Sequence, residues 1–91
     1  MLFYIVTYDI SCDKRRKKIS DLLEGYGSRV QYSVFECVLI DKKFDQLCQR
    51  LRKLVKDGDR VRFYPLSSHT LGQVIIWGEP PLTTFPSSTV V

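Results

Sequence analysis

The chain has 91 residues, with 14 Lys and Arg against 10 Asp and Glu and a net charge of +4, enough for one domain and too little for two. Its 44% hydrophobic and 12% aromatic content excludes a disordered tail. No apolar run nears the ~20 residues of a bilayer span, so the expectation is a soluble, cytoplasmic protein with no membrane partner.

Residues 2–8, Leu-Phe-Tyr-Ile-Val-Thr-Tyr, are β-branched and aromatic. They predict a strand buried on both faces near the centre of a sheet, ending at Asp9. Asp13 is a candidate N-cap. Ile19, Leu22, Leu23 and Tyr26 then recur at helical spacing, and Gly25 and Gly27 end the helix, with Gly27 expected at the left-handed closing position. The run Lys14-Arg15-Arg16-Lys17-Lys18 splits when projected on this helix. Arg15 shares the apolar stripe and Arg16 borders it, so both lean toward the end of the first strand, while Lys14, Lys17 and Lys18 face solvent.

Residues 29–40 are extended in character, and a break near Tyr32-Ser33 divides them into two strands of ordinary length. Asp41 is placed to cap a second helix with a stripe of Phe44, Leu47, Cys48, Leu51, Leu54 and Val55, stopped by Asp57-Gly58. Residues 59–66 alternate: Val61 and Phe63 point one way, Arg60, Arg62 and Tyr64 the other. Pro65 assigns this strand to an edge or a bend. Gln73 to Trp77 predicts one more short strand before Pro80-Pro81. The domain therefore covers 1–79. The tail, 80–91, carries no charge from Pro81 onward, and either frays or docks on a partner subunit. The first six elements give an α+β class, ferredoxin-like βαββαβ fold: one antiparallel sheet with two helices on one face, followed by an extra C-terminal strand.

That fold hosts many functions, so chemistry must come from a site. Cys12, Cys37 and Cys48 have neither disulfide nor zinc spacing, and Cys37 and Cys48 read as small hydrophobes. Ser67-Ser68-His69 has no adjacent carboxylate to orient the imidazole. Gly25-x-Gly27 is a helix stop and not a phosphate loop. Asp9 remains: a lone carboxylate at the end of a central strand, beside arginines. It either caps the following turn or ligates a metal. Mg²⁺ takes one or two carboxylates and completes its shell with water and phosphate. A second carboxylate would come from a second copy across a two-fold axis, so the enzyme reading calls for a symmetric dimer.

Tyr8-Asp9-Ile10, the basic helix start, Tyr26-Gly27-x-Arg29-Val30-Gln31-x-Ser33-Val34-Phe35-Glu36-Cys37 and Asp59-x-Val61-Arg62-x-Tyr64-x-Leu66 resemble the CRISPR-associated protein 2 family over residues 1–79. The resemblance implies a homodimer in which the last strand of each chain extends the partner's sheet. It also implies a hydrolase that cuts single-stranded RNA or double-stranded DNA during spacer acquisition for antiviral defence, with Mg²⁺ or Mn²⁺ as cofactor. Asp9 would be the catalytic, metal-binding residue. Tyr8, Arg16, Lys18, Arg29 and Phe35 would serve activity or substrate contact, with Arg15 added by the helix projection. Lys18 stands where some members carry Arg, and a lysine lacks the planar fork. A non-enzymatic role is the rival: a basic dimer that binds nucleic acid by its backbone and bridges the CRISPR-associated integrase. A toxin-type ribonuclease on the same fold is the third.

Overall fold

The computed structural model describes residues 1–83. The apolar run becomes strand β1 (Leu2–Asp9), and the first amphipathic segment becomes helix α1 (Asp13–Glu24). Strands β2 (Ser28–Gln31) and β3 (Val34–Leu39) follow, then helix α2 (Asp41–Leu54), strand β4 (Arg60–Leu66) and the single turn α3 (Ser68–Leu71). The sheet order is β2-β3-β1-β4, with every neighbouring pair antiparallel. This is the expected ferredoxin-like arrangement. The β2–β3 reversal falls at Tyr32-Ser33, although no Gly or Pro marks it. None of the helices described is long and apolar enough to cross a membrane.

Both long helices pack on one sheet face. Tyr4, Val6 and Tyr8 of β1 and Phe35, Cys37 and Leu39 of β3 meet Ile19 and Leu23 of α1 and Leu47 and Leu51 of α2. Strand alternation sends Phe3, Ile5, Thr7 and Asp9 to the opposite face, where Arg60, Arg62, Tyr64 and Leu66 of β4 lie beside them in register. Phe3 is buried there, but Ile5 and Thr7 are only half-buried. Full burial of β1 on both faces therefore does not hold within one chain, because only one face receives helices. The chain returns to the far side of this second face at Thr83, whose N–H donates to the Glu36 carboxylate at 3.0 Å. Pro65 lies on β4, an edge strand, where a residue without an N–H is tolerated.

Three local expectations are corrected. Asp13 and Asp41 are the first helical residues and not the caps. Cys12 and Ile40 hold the capping positions without side-chain hydrogen bonds, and the two carboxylates still complement the helix dipoles from the first turn. Gly27 is not left-handed; among the described glycines only Gly58 and Gly78 have positive φ. Its requirement is space, because a Cβ there would sit 2.4 Å from both Cys37 Sγ and the Glu36 carbonyl oxygen. Residues 73–77 form no strand. Ser67 caps α3, accepting a hydrogen bond from Thr70 N, and the chain leaves the sheet there. Ile75 and Trp77 are then 80% and 93% exposed. A strand needs a neighbour for its N–H and C=O groups, and one chain offers this segment none. Residues 84–91, the greater part of the proposed tail, lie outside the described residues.

Candidate active site

β1 delivers Tyr8 and Asp9 to opposite faces at its C-terminal end. Tyr8 is in the core, and its hydroxyl donates to the Tyr32 carbonyl at 3.2 Å. Asp9 is exposed and makes no hydrogen bond or ion pair with any described residue. Both residues line two clefts. The larger, about 500 Å³, also holds Ile10, Asp13, Arg16, Lys17, Ser20, Arg29, Tyr32 and Ser33. The smaller, about 250 Å³, lies on the sheet face without helices and is completed by Thr7, Arg60, Arg62 and Tyr64. Asp9 is thus the ridge between two basic recesses.

The larger cleft is built from the start of α1 and the β2–β3 turn. Arg16 reaches back to the Ile10 carbonyl at 2.9 Å and pairs with Asp13. Lys17 pairs with Asp21 at 3.1 Å. Arg29 joins β2 to α1, β1 and the β2–β3 turn: its guanidinium donates to Ser20, to the Tyr32 carbonyl, to Glu24 at 3.2 Å and to the Tyr8 hydroxyl at 3.4 Å. It also covers the Phe35 ring at 4.9 Å, a cation–π contact that shields the core edge. The Tyr8 and Glu24 hydrogen bonds hold the Arg29 proton more firmly than usual.

The predicted residues separate into two groups. Asp9, Tyr8, Arg16 and Arg29 come together. Arg15, Lys18 and Phe35 do not line the cleft. Arg15 does lie on the inward stripe, but its fork closes on Asp59 at 2.8 and 3.0 Å, so its charge is directed at the start of β4 and not at Asp9. Lys18 is exposed on α1. Phe35 has no exposed surface; it supports Arg29 from beneath and cannot itself face a ligand. Lys17 is exposed, as the helix projection expects, and also borders the cleft. Ser20, Thr7, Arg60, Arg62 and Tyr64 were missed as site residues. The alternation of 59–66 had grouped Arg60, Arg62 and Tyr64 on one side, and only strand pairing reveals that Arg60 lies opposite Asp9.

The cysteines take no part. All three are free, and burial pushes the Cys37 thiol up to about 11. His69 lies in α3, near the Ser67 cap. Among the described residues no three His, Cys, Asp or Glu side chains gather as a metal site. Asp9 is nonetheless a free, exposed carboxylate, the hard oxygen donor that Mg²⁺ or Mn²⁺ accepts singly or in pairs. The donor set of one chain thus fits a metal whose remaining ligands come from outside that chain.

Comparison with known proteins agrees with this architecture. The sequence pattern of the family described as CRISPR associated protein Cas2 matches residues 1–74. A protein of Synechocystis sp. named CRISPR-associated endoribonuclease Cas2 3 is 62% identical over 92 residues, covering 100% of each chain. Among solved structures, a hypothetical protein from Thermus thermophilus superposes with a TM-score of 0.78 at 44% identity, over 91% of this chain and 98% of that one. A chain of a partial Cas6-RT-Cas1–Cas2 complex superposes with a TM-score of 0.76 at 33% identity, over 84% of this chain and 90% of that one. The motifs at both ends of the domain, the sheet order and these likenesses agree, and the chain belongs to the CRISPR-associated Cas2 family.

Proposed function

We propose that the chain works as a homodimer and as a metal-dependent endonuclease that cuts phosphodiester bonds during spacer acquisition, with RNA or DNA as substrate. The observation that carries this reading is Asp9: an exposed, unpartnered carboxylate standing between two basic clefts. Folding does not use this charge, and a carboxylate among cations is poised for a ligand that carries both metal and phosphate. The name of the Synechocystis relative supports the activity class. The sheet face without helices, bearing Asp9, and the exposed Val74–Trp77 segment support a second copy of the chain, which would bring a second Asp9.

In this reading Asp9 from each subunit would hold Mg²⁺ or Mn²⁺. When bound, the metal lowers the pKa of a coordinated water and stabilises charge on the phosphoryl oxygens. Asp9 fixes where the scissile phosphate must lie. Arg16 and Lys17, held over the α1 cleft by carbonyl and carboxylate partners, screen the neighbouring phosphates. Tyr8 and Arg29 tie the end of β1 to the β2–β3 turn through the Tyr32 carbonyl and so position the strand end that carries Asp9. The test is cleavage of labelled RNA and duplex DNA by wild type and Asp9→Asn at equal metal. A fall of at least about 100-fold is expected, the rate equivalent of a few kcal/mol of charge stabilisation. Equal rates reject the nuclease reading.

A second reading is supported by the likeness to a chain found in a Cas1–Cas2 complex. The same dimer would serve as a scaffold that grips nucleic acid by its backbone and bridges the integrase. This role uses the basic surface but not the Asp9 carboxylate, so Asp9→Asn would leave it intact.

A further inference from the structure

Tyr32 is the most exposed large apolar side chain among the described residues, at 95%. Its backbone is the opposite case. The Tyr32 carbonyl accepts from the Tyr8 hydroxyl at 3.2 Å and from the Arg29 guanidinium. The next carbonyl, that of Ser33, accepts from the Tyr8 N–H at 3.1 Å. Both turn residues are therefore pinned to the end of β1. The ring, by contrast, has no aromatic or cationic partner among the described residues. The reversal itself does not call for it, since Gly, Asn, Asp and Ser are the usual turn residues. A fixed backbone that holds an unpaired ring in water makes a stacking surface with little freedom to lose on binding.

A single exposed aromatic is ordinary; the position of this one is not. Tyr32 borders the α1 cleft together with Arg16, Lys17 and Arg29. That cleft is walled by α1, which packs on the helix-bearing side of the sheet. The turn belongs to the β2 edge, with β3 and β1 between it and β4. It is thus remote from residues 74–77, and the cleft is walled on the side opposite the one assigned above to a second copy.

A nucleotide presents a charged backbone and an apolar ring face. Arg16 and Lys17 suit the first, because their exposed pairs with Asp13 and Asp21 are weak enough to yield to a phosphate. Tyr32 suits the second, because every base has a π face. In a continuous duplex each base is already stacked on its neighbours, and only an unpaired base is free to lie on the ring. We infer that Tyr32 is the stacking platform for one unpaired base of a strand whose backbone runs along Arg16 and Lys17. It thereby makes the site favour a single strand over a continuous duplex. The inference rests on the reading above in taking nucleic acid as the ligand, but it depends neither on Asp9 nor on cleavage.

The experiment uses the full chain in the Asp9→Asn background. The probes are fluorescein-labelled single-stranded RNA and DNA of about 12 nucleotides and a blunt duplex DNA of the same sequence, followed by anisotropy between about 50 and 200 mM salt. Tyr32→Ala is expected to weaken binding of the tighter single strand about tenfold, within the span of base–aromatic stacking. The slope of log affinity against log salt should not change, because no phosphate contact is lost. Duplex affinity should stay within about twofold, as stacking on the ring requires an unpaired base. Tyr32→Phe and Tyr32→Trp should keep single-strand affinity. A 2-aminopurine placed along the single strand should be quenched at one position by the unsubstituted turn and by Tyr32→Phe, and not by Tyr32→Ala. Light scattering and circular dichroism of each variant run alongside. Unchanged single-strand affinity in Tyr32→Ala overturns the inference. So does an equal loss for single strand and duplex, a loss in Tyr32→Phe as large as in Tyr32→Ala, or a loss that coincides with dissociation or unfolding. Failure of the parent chain to bind either single strand overturns it too. If Asp9→Asn abolishes cleavage while Tyr32→Ala binds normally, the nuclease reading stands and the stacking role falls. If Asp9→Asn cuts as wild type does while Tyr32→Ala loses the single strand, the stacking role stands and the nuclease reading falls.

Discussion

Gly27 illustrates how a single atom is constrained at the residue scale. The helix stop it belongs to needs no left-handed residue, yet a methyl group would collide with Cys37 Sγ and the Glu36 carbonyl, each 2.4 Å away. One of those neighbours is backbone within β3, so β3 or the end of α1 would have to shift. Gly27→Ala is expected to cost about 2 kcal/mol, the usual size of overpacking. That corresponds to a fall of about 10 °C in Tm for a domain of this size, measurable by calorimetry. An unchanged Tm would show that the strand yields freely. At this scale the sequence revealed which residues matter more clearly than why. Asp9 was legible because a carboxylate closing an apolar strand is conspicuous. The need for Gly at position 27 was visible too, but its cause, a tertiary approach between α1 and β3, leaves no local trace. Phe35 was named by resemblance; its burial beneath Arg29 follows from strand pairing that composition does not encode.

Among the elements, the Arg15–Asp59 pair ties the first turn of α1 to the start of β4. The Asp59 carboxylate is 2% exposed and also accepts from the Lys56 N–H. The Arg15 hydrogen bond, followed by the Lys56 one, lowers its pKa below the ordinary 3.8. A depressed carboxylate contributes stability above its unfolded pKa, and that stability is lost as pH falls through the folded value. Asp59→Asn is therefore expected to be less stable than wild type near pH 7, with the difference shrinking below about pH 4. Denaturation midpoints over a pH series check this; a pH-independent difference would assign the loss to packing. Helices α1 and α2 were legible from their 3.6-residue stripes, and so was the alternation in β4. The basic run at the start of α1 was only half legible. Periodicity placed Arg15 on the inward side, but which carboxylate it would meet depended on β4, 44 residues away.

For the whole molecule, residues 74–77 are the unfinished part. Val74, Ile75, Ile76 and Trp77 are exposed in sequence, with Trp77 at 93%. A β-prone apolar stretch left in water invites pairing with a sheet edge. On the proposed homodimer, Ile75→Glu with Trp77→Glu is expected to shift the chain from dimer to monomer in light scattering while the far-ultraviolet circular dichroism is kept. A dimer of undiminished strength would mean that this segment is not part of the interface. The strand predicted at 73–77 matches the β-prone residues of the segment. What it could not supply was the neighbouring strand, which no single chain contains.

The position of Asp9 outside the core separates folding from the chemistry proposed for it. The residues that hold the sheet to its helices include Tyr8 but not Asp9, and no described side chain depends on the Asp9 carboxylate. Selection for a stable fold therefore exerts no pull on this residue. On the proposed reading, drift at position 9 would remove hydrolysis while the fold and its basic surface persist. One architecture could then pass between cutting nucleic acid and merely holding it through the fate of one unburied residue.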